Sequence, residues 1–272
     1  NFFQLDADNF IAYMVDVSGH GVPSALISVS IYQTLSPHSS SLFGKDDNKV
    51  LAPSRILDLL EQEFPIERFN NFFTIFFMTI NLRTGVLTYS AGGHPPALLL
   101  RNGAEPKLLE AGGMIIGAGA PIPFAEACVP LQKGDKIIMY TDGTYEYQNE
   151  NQQMYGLDRL FATTAAQREN TIEEAIDGIF EDILNFGCHL APQDDISLLS
   201  SRREEQVLNH QEGDFFQSCR NLITIGIAAQ WVFSDNIEGI QLACSRSCQH
   251  CLSALAAALG QDAKVNGTLA VC

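Results

Sequence analysis

No run of apolar residues in this 272-residue chain reaches the ~20 that a helix needs to cross a bilayer, which excludes a helical membrane span. Basic residues are scarce. Sixteen Lys and Arg stand against 32 Asp and Glu, a formal net charge of −16, which argues against nucleic acid or an anionic membrane as partner. The same balance suits a site that collects divalent cations. Cysteine is nearly absent from the first 200 residues, where only Cys128 and Cys188 occur, and five of the seven lie after residue 218. This is no disulfide framework, and the expected compartment is reducing and cytoplasmic. A signal peptide, an initiator Met and internal repeats are all lacking. The chain opens at Asn1 inside a strand-like stretch, so a fragment of a longer protein is expected. What is present is 46% hydrophobic and 18% charged residues, enough to bury a sizeable core in one large domain or one domain plus an appendage.

Residues 1–202 are dense in strand and turn signals. The apolar run 10–15 stops at Asp16, and a glycine-bearing turn, 18–21, leads to a helix with Pro23 in its first turn. Val22, Ala25, Leu26, Val29 and Tyr32 recur there at helical spacing. A second helix is predicted over 54–64. Strands are predicted over 72–80 and 85–91, joined by the short turn 81–84, and over 97–101 and 107–109 around Asn102-Gly103. A short strand at 136–140, helices at 157–166 and 172–186, and a last strand at 196–200 follow. Strands in the middle with helices on either side predict an α+β layered fold of antiparallel sheets covered by helices. Residues 203–272 have a poorer pattern: 223–232 reads as a strand and 252–259 as an Ala-rich helix, without a fold.

Acids recur at strand ends. Asp16 closes the first apolar run, Asp142 follows the strand 136–140, and Asp194 and Asp195 open the strand at 196. Strand ends hold side chains rigidly, and carboxylates gathered at one edge repel unless a cation sits among them; Mg²⁺ and Mn²⁺ take such oxygen ligands. Any one Asp beside Gly is equally a turn former. Three strand-edge acids make the metal site and the turn readings equal on spacing alone.

Five ordered motifs go further. Asp16-Val17-Ser18-Gly19-His20-Gly21-Val22-Pro23-Ser24-Ala25 resembles the Asp-x-Ser-Gly-x-Gly signature of PPM-type metal-dependent serine/threonine phosphatases, in the bacterial branch typified by sporulation stage II E and stress-response regulators. Ala91-Gly92-Gly93-His94-Pro95-Pro96-Ala97, Gly134-Asp135 with Tyr140-Thr141-Asp142-Gly143-Thr144-Tyr145-Glu146, Tyr155-Gly156-Leu157-Asp158-Arg159-Leu160, and Gln193-Asp194-Asp195-Ile196-Ser197 resemble its remaining motifs in order. The resemblance covers residues 1 to about 200. It implies a four-layer α-β-β-α sandwich of two antiparallel sheets flanked by helices, with two Mn²⁺ or Mg²⁺ ions at one end. It implies Asp16 as the bridging ligand, Val17 as a carbonyl ligand, and Asp142 and Asp194 as further ligands, with the Asp195 carboxylate supporting the turn or, if the register is one residue on, taking the place of Asp194. The implied reaction is attack on a phosphoserine or phosphothreonine by a hydroxide bridging the two ions. The implied substrate is a phosphorylated STAS-type anti-sigma-factor antagonist, and the implied control is a receiver or sensor domain upstream.

The family also places a Gly-Gly-Asp ligand on a strand that would lie just before Asn1, so the chain as given is expected to lack one ligand and a sheet edge and to be weakly active or inactive. Tyr147 stands where small residues are common. A degenerate phosphatase domain serving as a non-catalytic partner-binding module is the alternative function, and a small phosphate ester an alternative substrate. His20 reads as peripheral, His94 as a turn residue, and Glu146 as a loop anchor or a support for water. Ser18 has no Ser-His-acid arrangement, and Gly19-x-Gly21 lacks the third glycine of a dinucleotide fingerprint. Cys244, Cys248 and Cys251 are spaced as in radical enzymes that bind an iron–sulfur cluster, but too little chain follows for their barrel; a zinc site with His250 or Cys272 is the other metal reading, and incidental thiols the plainer one. Residues 240–245 faintly resemble the helix that opens the ATP site of anti-sigma-factor kinases, with Arg246 and His250 where Glu and Asn are expected. An aberrant reading frame accounts for such a tail as well.

Overall fold

The computed structural model describes residues 1–19, 21–37, 42, 51–119, 122–188, 190, 194–203 and 223–230. His20, Arg246, His250, the Cys244/Cys248/Cys251 group, Cys272 and the helix expected at 252–259 lie outside them. In chain order the elements are β1 (Phe2–Gln4), β2 (Asn9–Val17), α1 (Val22–Thr34), α2 (Pro53–Glu63), α3 (Ile66–Phe69), β3 (Phe73–Asn81), β4 (Val86–Gly92), β5 (Ala97–Leu100), β6 (Lys107–Leu109), β7 (Gly112–Gly113), β8 (Ala127–Pro130), β9 (Lys136–Tyr140), α4 (Gly143–Glu146), α5 (Leu157–Ala166), α6 (Ile172–Phe186), β10 (Ile196–Arg203) and β11 (Ile223–Gln230). The described residues form two compact units, one from Asn1–Pro96 and Leu109–Leu131, the other from Ala97–Leu108 and the described residues from Gln132 on.

The first unit holds a sheet ordered β1-β2-β3-β4-β7, with β8 also on β4. The strand-like opening is β1, which pairs antiparallel with β2 and gives that strand an edge partner. Ile11, Tyr13, Phe73, Ile75 and Phe77 pack with Ile27, Ile31 and Leu35 of the α1 segment and with Ile56, Leu57 and Leu60 of α2. The alternate residues Ala12, Met14, Phe76 and Met78 are buried as well. A strand buried on both faces has no need to alternate, which is why β3 reads as a continuous apolar run. The β3–β4 hairpin forms as expected, with Gly85 N–H donating to Asn81 O at 2.7 Å and Thr84 N–H to Asn81 Oδ1 at 2.9 Å.

Helix α1 forms where the spacing places it, with Val22, Leu26 and Val29 exposed and Ser24, Ile27 and Ile31 facing in. The helix VPSALISVSIYQT is apolar on both sides and carries no charge, so helical period alone cannot choose its buried face. The first sheet is otherwise antiparallel, with the two-residue β7 running parallel to β4. Gly112 makes that pairing possible: a Cβ there would lie 2.0 Å from Ala91 O.

The second unit holds a sheet ordered β11-β10-β9-β5-β6. Leu98, Leu100, Ile138, Tyr140, Ile196 and Leu198 pack with Leu160 of α5 and with Ile176, Ile179, Phe180 and Ile183 of α6. Helix α6 begins with a capping box, Thr171 Oγ1 accepting from Glu174 N–H and Glu174 from Thr171 N–H. Ile172, Ala175, Ile176, Ile179, Phe180 and Ile183 form its buried face, with Leu184 partly buried against them. The strand expected at 223–232 is β11, which pairs along all of β10. Tyr147 is buried with its hydroxyl donating to Leu190 O at 2.5 Å, and its ring lies where a Cβ on Gly187 would come within 2.1 Å. The departure noted at this position is thus matched by a glycine across from it.

Candidate active site

In the first unit, Asp16 and Val17 end β2 opposite Thr74 and Phe73. The turn that follows is bound to the entry of β3. Ser18 N–H donates to Phe72 O at 2.9 Å, Phe72 N–H to Ser18 Oγ at 3.0 Å, and Asn71 Nδ2 to Ser18 O at 2.6 Å. Ser24 Oγ, in the first turn of α1, donates to the same Ser18 carbonyl at 3.1 Å. Because the Val17–Ser18 peptide is planar and trans, tying its N–H to Phe72 turns the Val17 carbonyl to the opposite side, away from β3. Gly19 and Gly21, at φ of 82° and 85°, carry the chain through left-handed conformations that a side chain would strain. His94 is buried, with Nδ1 2.8 Å from Thr74 Oγ1, which supports its reading as a turn residue.

In the second unit, the structure brings Asp142 together with Asp194 and Asp195. Asp142 caps α4, its Oδ1 accepting from Gly143 N–H at 2.9 Å. Asp194 does the same one residue on, with Asp195 N–H donating to Asp194 Oδ1 at 2.7 Å. Thr141 Oγ1 donates to Asp195 O at 2.7 Å and accepts from Ser197 N–H at 3.0 Å. Gly143 lies so close that a Cβ there would stand 2.5 Å from Asp195 O and 3.2 Å from the Asp194 carbonyl carbon. Asp195 therefore contributes its backbone to the turn.

Two neighbouring groups report the local field. The Glu146 carboxyl is raised above its ordinary pKa by burial, then by the charges of Asp142 and Asp194. The Tyr145 phenol is pushed up to about 12, by burial first and then by Asp142 and Glu146. Carboxylates that disfavour each other in this way are what a bound cation relieves. Among the described residues, no three His, Cys, Asp or Glu side chains enclose a metal ion by themselves. Mg²⁺ does not require such a cage: it keeps several waters and takes one or two carboxylates, which the Asp142–Asp194 arrangement with its all-oxygen donors fits.

Sequence reasoning missed Asn71, Thr141 and the closeness of Gly143. Each acts on a segment far away in the chain, so no local pattern signals it.

A model of the stage II sporulation protein E family, SpoIIE, matches residues 6–204. The phosphoserine phosphatase RsbU of Bacillus subtilis (strain 168) is 25% identical over 206 residues, covering 74% of this chain and 58% of RsbU. The phosphoserine phosphatase RsbP of the same organism is 25% identical over 150 residues, 53% of this chain and 35% of RsbP. The chain thus spans less than two thirds of these relatives. Among solved structures, the RsbU and RsbW domains of a Mycobacterium tuberculosis protein superpose with a TM-score of 0.61 at 21% identity, over 75% of this chain and 54% of the other. The SiaA PP2C domain of Pseudomonas aeruginosa gives 0.60 at 20%, over 74% and 77%. The PP2C phosphatase domain of Bacillus subtilis SpoIIE gives 0.57 at 16%, over 74% and 56%. With its two sheets, their helices and a PP2C phosphatase fold, the chain belongs to the stage II sporulation protein E family.

Proposed function

We propose that the chain is the catalytic part, residues 1–202, of a metal-dependent protein serine/threonine phosphatase in bacterial signalling. The observation that carries this reading is the meeting of Asp142 and Asp194 at the adjoining ends of β9 and β10, where Gly143 lets the two segments touch. Relatives described as phosphoserine phosphatases support the same reaction.

In this reading Asp16, Asp142 and Asp194 supply carboxylates and Val17 a backbone carbonyl to two Mn²⁺ or Mg²⁺ ions. Such ions, when bound, lower the pKa of water and neutralise phosphoryl oxygens. The protein's part is to hold its oxygens still: Ser18 and Asn71 fix the turn after Asp16, while Thr141 and Gly143 fix the ends of the other two segments. Ser18 accepts from the backbone through its hydroxyl and serves as a turn residue, so no phosphoryl-enzyme on it is invoked. The substrate is phosphoserine or phosphothreonine on a regulatory protein, a STAS-type anti-sigma-factor antagonist in a cytoplasmic pathway, under a receiver or sensor domain. With an acidic chain, the anionic phosphate draws its attraction from the cations.

The test is hydrolysis of an aryl phosphate and of a phosphorylated STAS protein with Mn²⁺. Asp16→Ala should reduce Mn²⁺-dependent turnover by about 10³-fold or more, a loss on the scale of a removed electrostatic stabiliser of the transition state. Unchanged turnover would place the chemistry elsewhere, and no turnover by the intact full-length protein would favour a binding module.

A further inference from the structure

β9 and β10 are paired through Tyr140 and Leu198, and beyond that rung the strands separate into the two segments that carry Asp142 and Asp194. One backbone bond continues the ladder, Thr141 N–H to Ser197 O at 3.2 Å. The Thr141 hydroxyl then takes the place of a further rung. It accepts from Ser197 N–H at 3.0 Å and donates to Asp195 O at 2.7 Å, so both its donor and an acceptor site are used on the opposite segment. The side chain is buried, out of competition from water. Its β-branch restricts χ1, so the hydroxyl is presented in few directions. Thr141 is adjacent to Asp142, and its acceptor Asp195 is adjacent to Asp194. A single hydroxyl therefore joins the two acid-bearing segments one residue from each acid.

We propose that Thr141 is a positioning residue for the cation site, its hydroxyl setting the separation of Asp142 and Asp194 through its bonds to Asp195 O and Ser197 N–H. This rests on the phosphatase reading. Thr141 itself touches neither substrate nor ion. Its effect is on how tightly the two carboxylates hold a cation.

The experiment titrates Mn²⁺ into the 272-residue chain, reading free Mn²⁺ by electron paramagnetic resonance, and measures aryl phosphate turnover against Mn²⁺ concentration. Thr141→Val keeps the shape and removes the hydroxyl; Thr141→Ser keeps the hydroxyl; Thr141→Ala removes it without branching and serves if the valine variant does not fold. The Val and Ala variants should bind Mn²⁺ about tenfold or more weakly, as loss of two buried hydrogen bonds implies, and the Ser variant within about threefold of the parent. The Mn²⁺ concentration for half-maximal turnover should rise by the same factor in the Val and Ala variants and stay within about threefold of the parent in the Ser variant. Parent-like Mn²⁺ affinity in Thr141→Val or Thr141→Ala, even with a lowered melting temperature, would overturn the assignment. A parent chain that binds no Mn²⁺ would overturn the assignment together with the phosphatase reading on which it stands.

Discussion

Gly143→Ala is the sharpest test of how the second unit is built. At an exposed first helical position alanine would be favoured over glycine by up to ~1 kcal/mol. Here the added methyl would sit 2.5 Å from Asp195 O and 3.0 Å from the Asp195 carbonyl carbon, both backbone atoms. Ordinary contact begins at 3.4 Å, so the segments must part by about 0.9 Å. Such a shift would stretch the 2.7 Å bond from Thr141 Oγ1 to Asp195 O beyond hydrogen-bonding range. Overpacking costs ~1–3 kcal/mol and the lost bond ~1 kcal/mol, so after the helix gain a net loss of about 1–3 kcal/mol is expected. Urea unfolding in EDTA measures it, and the Mn²⁺ concentration for half-maximal aryl phosphate turnover should rise in parallel. A variant that unfolds at the parental urea midpoint with an unchanged Mn²⁺ requirement would refute the reasoning.

Asn71→Ala removes the 2.6 Å bond to Ser18 O and should lower stability by about 1 kcal/mol while weakening Mn²⁺ binding severalfold, read by calorimetric titration. Arg101→Leu leaves the nearly fully buried Asp135 carboxylate without its 2.6 Å guanidinium partner, and a loss of about 3 kcal/mol is expected in chemical denaturation. Glu146 binds its proton more tightly in the folded chain than in the unfolded one, so its contribution favours folding most below its ordinary pKa and is withdrawn as pH rises through the raised value. Carboxyl NMR of the metal-free chain should show that midpoint fall toward the ordinary value in Asp142→Asn, and fall in the parent chain when diamagnetic Mg²⁺ is added.

Much of this fold is legible in the sequence because its long elements are strongly patterned. β2 and β3 are apolar runs bounded by turn residues, and α5 and α6 show helical periodicity. The orientation of α1 was not legible, since both of its sides are apolar. α4, β7 and β8 are two to four residues long, too short for a period to register. The acids themselves were legible as strand-end residues in ordered motifs. Their support was not: Thr141 reaches Asp195 across 54 positions and Asn71 reaches Ser18 across 53. Such contacts are decided by which strands become neighbours, a property of the folded sheet that local spacing does not carry.

The Tyr147 ring and the bare backbone of Gly187 fill one space between them. Side-chain volume is therefore a shared quantity at these two positions, and a relative that enlarges residue 187 must shrink residue 147 to match. The tyrosine also ties the end of α6 through Leu190, so the swap that admits a bulky ring also gives that ring a tethering job which a smaller residue at 147 would leave undone.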